Sequence, residues 1–164
     1  MSENDTPCEG RQKTITTTAS ETSIDHLRQI GNFIYEFSQL EFQLRFTYGQ
    51  FFSEWEDAIY SLEHVDTLKV AEALDKLAKK KWGNELYSKW NRIFSEYKSI
   101  NEERIRIVHG TWAVDVYGGF SVRRSSRSGK SPEWHYERSD DIRALAQKCS
   151  CTMSRLAELL FRND

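Results

Sequence analysis

Four long stretches of this chain carry apolar residues at intervals of three and four, and this spacing limits the fold more than any other feature. Residues spaced in this way share one face of an α-helix. The first helix is predicted to begin at Ile24 and the second at the capping residue Asp66. The third follows the turn Gly83-Asn84, and Ser139 caps the last.

The four apolar faces account for most of the large hydrophobic side chains. The first face comprises Leu27, Ile30, Phe33, Ile34, Phe37, Leu40, Leu44, Tyr48 and Phe51. The second comprises Val70, Ala71, Leu74, Leu77 and Ala78, and the third Leu86, Trp90, Ile93, Tyr97, Ile100 and Val108. The last comprises Ile142, Leu145, Cys149, Met153, Leu156 and Leu160. Helices of this kind are stable when their apolar faces are buried against one another.

Helical periodicity is absent between Thr111 and Arg138. Residues 111–122 alternate and are rich in aromatic and branched side chains, a pattern typical of a β-strand, and residues 133–138 are suited to pair with them. We therefore predict an all-α fold, an antiparallel four-helix bundle with a small β-hairpin inserted between helices 3 and 4.

The N-terminal stretch differs in composition from the rest. Residues 1–22 are polar and lack a hydrophobic period, so we predict a disordered tail followed by a single domain over residues 23–164. No apolar run approaches the length of a membrane helix, and the N-terminus lacks a signal-peptide pattern. We expect a cytoplasmic protein with no membrane partner.

The charge balance excludes a protein that coats nucleic acid through bulk charge, because the formal net charge is −2. Phosphate binding would have to be local. The sequence contains no His-Glu-x-x-His zinc motif, no Gly-x-Ser-x-Gly nucleophile motif and no glycine fingerprint for a dinucleotide. We therefore expect neither a metal nor another cofactor.

Two charged residues fall on the apolar faces. At about 100° per residue, Glu41 lies within the first face and Arg104 within the third. A charge buried alone costs several kcal/mol, so we expect the two side chains to pair. This pairing has two interpretations, an ion pair that only stabilises the core or a carboxylate that orients a functional arginine.

The third helix ends in the sequence Arg-Ile-Arg-Ile-Val-His-Gly-Thr-Trp at 104–112. An arginine followed after four to six residues by a histidine, here Arg104 and His109, resembles the signature of the HEPN superfamily (higher eukaryotes and prokaryotes nucleotide-binding domains). The segment Phe37–Arg45 is similar to that family's first long helix. Ile105 stands where the family often has Asn, Asp or His.

The resemblance implies a metal-independent endoribonuclease that acts as a homodimer, with two Arg/His pairs meeting at the subunit interface. Arg104 would hold phosphate, His109 would act as base or acid, and Glu41 would orient Arg104. Asn101 would supply the polar group missing at position 105. The implied setting is a prokaryotic toxin or defence system, with single-stranded RNA as substrate and an antitoxin protein as a further partner.

Two further features bear on partners. The segment 123–132 contains four cations and no acid, namely Arg123, Arg124, Arg127 and Lys130. It is either a solvated hairpin tip or a contact for RNA phosphates. More aromatic residues lie around the third helix than one buried face requires, which predicts a dimer interface there. These residues are Trp82, Tyr87, Trp90, Phe94, Tyr97 and Trp112.

Three functional readings stay open at this point. The first is the ribonuclease, and the second is a non-catalytic HEPN-like module for dimerisation or for binding nucleotide or RNA, which Ile105 favours. The third is a purely structural helical bundle.

Overall fold

The computed structural model describes residues 21–114, 120–123, 134–136 and 138–161. These residues form five helices: α1 (Glu21–Gly49), α2 (Trp55–Ser61), α3 (Thr67–Lys81), α4 (Asn84–His109) and α5 (Ser139–Phe161). Three short strands lie between α4 and α5: β1 (Thr111–Val114), β2 (Phe120–Arg123) and β3 (Trp134–His135). The described chain is mostly helical, in agreement with the predicted all-α class.

The ends of the helices follow local chemistry. Asp66 caps α3, since its Oδ1 accepts a hydrogen bond from the Leu68 amide at 2.8 Å. Lysines at 79–81 occupy the last turn of α3, where the helix dipole favours cations. The first helix begins at Glu21, three residues before the predicted Ile24, and an acid suits the first turn of a helix.

A short helix that the periodicity did not predict, α2, packs against the end of α1. Gly49 permits this contact, because a Cβ at that position would lie 2.9 Å from Ile59 Cγ1 and 3.1 Å from the Trp55 carbonyl oxygen. The rings of Phe46 and Trp55 meet edge to face at 5.7 Å.

The core lies where the apolar faces of α1, α3, α4 and α5 meet. Helix α1 packs mainly on α5 and α3, and α4 packs on the same two helices, so α1 and α4 touch each other little. The fully or almost fully buried side chains include Phe33, Phe37, Leu40, Leu44, Leu74, Trp90, Tyr97, Ile100, Ile107, Ile142 and Leu156.

Two residues assigned to apolar faces are in fact exposed. Leu27 is 56% exposed, and the buried position near it belongs to His26, whose Nε2 bonds to the Tyr136 carbonyl oxygen at 3.2 Å. Val108 is 45% exposed, and Ile107 is buried instead. The core-facing positions of α4 are alternately four and three residues apart. This spacing places Ile107, and not Val108, on the core face after Arg104.

The strands pair differently from the predicted hairpin. Within the stretch 111–122, β1 pairs antiparallel with β2, and β2 then pairs antiparallel with β3. The sequence between β1 and β2 contains Gly118-Gly119, a pair favoured in tight turns, which alternation alone does not reveal. None of the described helices has the length and apolarity needed to cross a membrane.

Candidate functional site at the motif end of α4

Arg104 occupies a half-buried position on the face of α4 that is turned toward the core. Its guanidinium carbon lies 5.9 Å from the centre of the Phe37 ring of α1, a cation–π contact. Within the described chain, Arg104 has neither a hydrogen bond nor a salt bridge. The aromatic ring thus supports the guanidinium while leaving its N–H donors free.

Most other arginines in the described helices are engaged. Arg45 donates to the carbonyl oxygens of Leu62 and Val65 and to Thr67 Oγ1, and so holds the α2–α3 connection. Arg106 pairs with Glu103, and Arg155 pairs with Glu96. Arg104 differs from them in retaining its capacity for a two-pronged contact with an anion.

Glu41 is half-buried on α1, and the predicted direct ion pair with Arg104 does not form. Burial raises the pKa of Glu41, while a hydrogen bond with Thr67 and the charge of Arg104 oppose that rise. Arg104 instead lies over the Phe37 ring of α1, one helical turn before Glu41. Glu41 therefore interacts with Arg104 through the electrostatic attraction between their charges, without a direct salt bridge.

Tyr97 is a polar component of this site that the sequence analysis treated only as a core residue. Its side chain is fully buried, its ring stacks on Phe37 at 6.1 Å, and its hydroxyl has no hydrogen-bond partner among the described residues. Burial is the main cause of a raised pKa for Tyr97, with Glu41 adding to it. The spacing of seven residues to Arg104, about two helical turns, was the signal that could have identified it.

His109 is the last residue of α4 and is exposed. The turn after it is held by two hydrogen bonds: Gly110 N–H donates to the Arg106 carbonyl at 2.8 Å, and Trp112 Nε1–H donates to the Ile107 carbonyl at 2.8 Å. Helix geometry separates Arg104 from His109 by about 140° around the axis and about 7.5 Å along it. The two side chains therefore leave the helix in different directions.

A second polar cluster joins α4 to the segment after β3. Tyr136 OH donates to the Glu103 carboxylate, which also accepts from Arg106. Tyr136 has a φ of 59°, in the left-handed region, and its carbonyl oxygen meets His26 of α1. These contacts attach the segment after β3 to α4 and to α1. The spacing of residues in the sequence did not predict them.

The other predicted site residues are distributed unevenly. Asn101 is half-buried, one turn before Arg104 on α4. Arg123 is the last residue of β2, while Arg124, Arg127 and Lys130 lie outside the described residues. The RNA-binding role of this basic segment stays a prediction.

A cavity of about 650 Å³ opens elsewhere, between the first half of α4 and the second half of α5. Its walls are formed by Glu85, Leu86, Lys89, Arg92, Ile93, Arg155, Glu158 and Leu159. None of the predicted site residues lines it.

In the described parts of the chain, no group of three or more His, Cys, Asp or Glu side chains is arranged to hold a metal ion. Comparison with known proteins adds no assignment: no family model, no curated protein and no solved structure matches this chain.

Proposed function

We propose that this chain is a metal-independent endoribonuclease that cleaves single-stranded RNA with Arg104 and His109, in a prokaryotic toxin or defence system. The observation that carries the proposal is a half-buried arginine with no hydrogen bond or salt bridge to the described chain, on the same helix as an exposed histidine. Arginine without a carboxylate partner is well suited to bind phosphate.

The chemistry requires one proton-transfer group and one cation. The 2′-hydroxyl oxygen attacks the adjacent phosphorus, the bond to the 5′-oxygen breaks, and a 2′,3′-cyclic phosphate remains. His109 takes the proton from the 2′-hydroxyl or donates one to the leaving oxygen, since an imidazole can act as a general base or a general acid. Arg104 offsets the charge that develops on the phosphoryl oxygens.

The angle between Arg104 and His109 supports a composite site. Because the two side chains leave α4 about 140° apart, one phosphate is reached more easily by Arg104 of one copy and His109 of another. We include in the proposal a homodimer in which these pairs meet, within an antiparallel four-helix bundle carrying the small strand region between its last two long helices. An antitoxin protein would cover the same surface.

The decisive measurement is cleavage of a labelled single-stranded RNA with EDTA present. We expect activity to persist in EDTA and to fall at least ~10²-fold in His109→Ala, the scale for loss of a general acid or base. Arg104→Ala should be similarly inactive, because the phosphate charge is then left uncompensated.

Matched controls are available on the same fold. His64→Ala removes another exposed histidine. Arg92→Ala removes another arginine that has no salt bridge in the described chain. Both variants should cleave RNA as the parent does. Intact RNA after incubation with folded parent protein, or full activity in His109→Ala, would refute the enzyme.

The same angle between Arg104 and His109 also favours a second function, because a single chain does not direct these two side chains at one phosphate. It is a non-catalytic module that binds nucleotide or RNA. Under this alternative, Arg104→Ala weakens RNA binding in a fluorescence-anisotropy titration, while no cyclic-phosphate product forms with any variant.

A further inference from the structure

The outer face of α1 carries large apolar side chains that the core does not use. We name this surface the α1 stripe, and it consists of Ile24, Leu27, Gly31, Tyr35 and Phe42, all exposed. At 100° per residue they lie within about 40° of Gly31, opposite the buried face with Phe33 and Leu40. Contiguous exposed apolar surface of this kind marks an interaction site.

We propose that the α1 stripe pairs antiparallel with the α1 stripe of a second copy of this chain, with the two-fold axis near residue 33. This contact is separate from the ribonuclease proposal and from the motif-end contact that the HEPN resemblance implies. A two-fold interface requires a self-complementary surface, in which each residue meets a partner related by the axis.

The spacing of the stripe meets that requirement. Reversal about residue 33 places Ile24 against Phe42 and Gly31 against Tyr35 of the second copy. Gly31 offers room for the Tyr35 ring, since nothing lies within 4 Å of the position its Cβ would take. A parallel pairing would instead set the two Tyr35 rings against each other and leave the two glycines facing an empty gap.

The charges along α1 are compatible with the antiparallel arrangement. Arg28, 71% exposed at the edge of the stripe, is paired with Asp25 of its own chain at 3.8 Å. Reversal places Arg28 opposite Ser38, which is exposed and uncharged. In a parallel pairing the two copies of Arg28 would face each other, at a cost in free energy.

Other surfaces and segments fit this role less well. The aromatic residues around α4 that predicted an interface contribute to the core: Trp90, Phe94 and Tyr97 are buried, and Trp82, Tyr87 and Trp112 pack against the core cluster. Residues 1–20 contain only two large apolar side chains, Met1 and Ile15, too few to cover the stripe. A second copy places Ile24 against Phe42 and Tyr35 against Gly31, while Leu27 faces Gln39.

Sedimentation equilibrium over a concentration series tests the proposal with the full chain. We expect the parent to reach at least twice the chain mass of 19.3 kDa, and the motif-end contact of the proposed function would add to this association. Tyr35→Glu should raise the dimer dissociation constant by at least ~30-fold, the scale for loss of a central interface residue. Circular dichroism checks that the variant folds; if it does not, Phe42→Glu probes the far end of the stripe.

Two controls place the same charge on exposed apolar residues elsewhere. Tyr60→Glu lies on α2, where the side chain is 73% exposed, and Val108→Glu lies beside the motif. Both should associate as the parent does. Dissociation by Val108→Glu with Tyr35→Glu unaffected would overturn the proposal in favour of the motif-end contact, and a monomeric parent would overturn it outright.

A mixing experiment tests the register. Gly31→Lys alone should lose the α1 contact because the added side chain fills the space for Tyr35. Mixed with Tyr35→Glu, it should form a heterodimer, since one glycine–tyrosine contact persists and an ion pair replaces the other. Failure of this mixture to associate would overturn the antiparallel register.

Discussion

At the scale of single residues, the buried hydroxyl of Tyr97 is the feature of the core with the clearest energetic consequence. A buried hydroxyl without a partner costs about 1–3 kcal/mol, and Tyr97 OH makes no hydrogen bond to the part of the chain that the structure describes. Tyr97→Phe keeps the stacking on Phe37 and removes that oxygen. We expect the free energy of unfolding, measured by urea denaturation, to rise by about 1 kcal/mol.

Tyr136→Phe is the matched comparison, because the Tyr136 hydroxyl donates to the Glu103 carboxylate. Its loss should lower the free energy of unfolding by about 1.5–3 kcal/mol, the range for a hydrogen bond to a charged group. If Tyr97→Phe proves as destabilising as Tyr136→Phe, the Tyr97 hydroxyl has a partner in solution.

At the scale of the helix, two glycines of α1 have opposite roles. Gly31 faces open space, so Gly31→Ala should raise the free energy of unfolding by about 0.5–1 kcal/mol through helix propensity. Gly49→Ala should lower it by about 1–3 kcal/mol, since the new methyl would crowd Ile59 and the Trp55 carbonyl. Both are best measured by urea denaturation with Tyr35→Glu also present, so that self-association does not contribute.

Equal effects at the two positions would show that α2 does not pack on α1 as described. The two glycine variants thus distinguish the effect of helix propensity from the effect of a tertiary contact. It also checks that the surface around Gly31 is open in the isolated chain, which the proposed pairing of two copies requires.

At the scale of the whole molecule, Glu41 links stability to pH. Because burial raises its pKa, the folded chain holds this proton to a higher pH than the unfolded chain does. Stability attributable to Glu41 is therefore greatest below the ordinary carboxyl pKa and falls as pH rises through the raised value. We expect Glu41→Gln to be more stable than the parent at pH 7, with the difference vanishing in acid.

Thermal unfolding across a pH series measures this difference. Glu72→Gln, on an exposed position of α3, is the control for removing one negative charge. A loss of stability in Glu41→Gln at pH 7 would mean that Glu41 is held by a direct ion pair in solution.

The periodicity of the sequence determined the long helices and most of their buried positions, because a helical face repeats on a scale of a few residues. Asp66 as a cap and the lysines at the end of α3 are local effects and were equally predictable. The position of Arg104 on the core face of α4 was predicted from the same helical periodicity.

Tertiary packing decided which charges on different helices meet. Arg104 lies over the Phe37 ring and makes no salt bridge with Glu41 among the described residues, and no spacing along the chain encodes that choice of partner. The exposure of Leu27 also depends on a distant contact, since His26 takes the buried position through a bond to Tyr136, 110 residues away. Sequence patterns report which side of a helix is apolar, whereas the partner of each side chain depends on where the other helices lie.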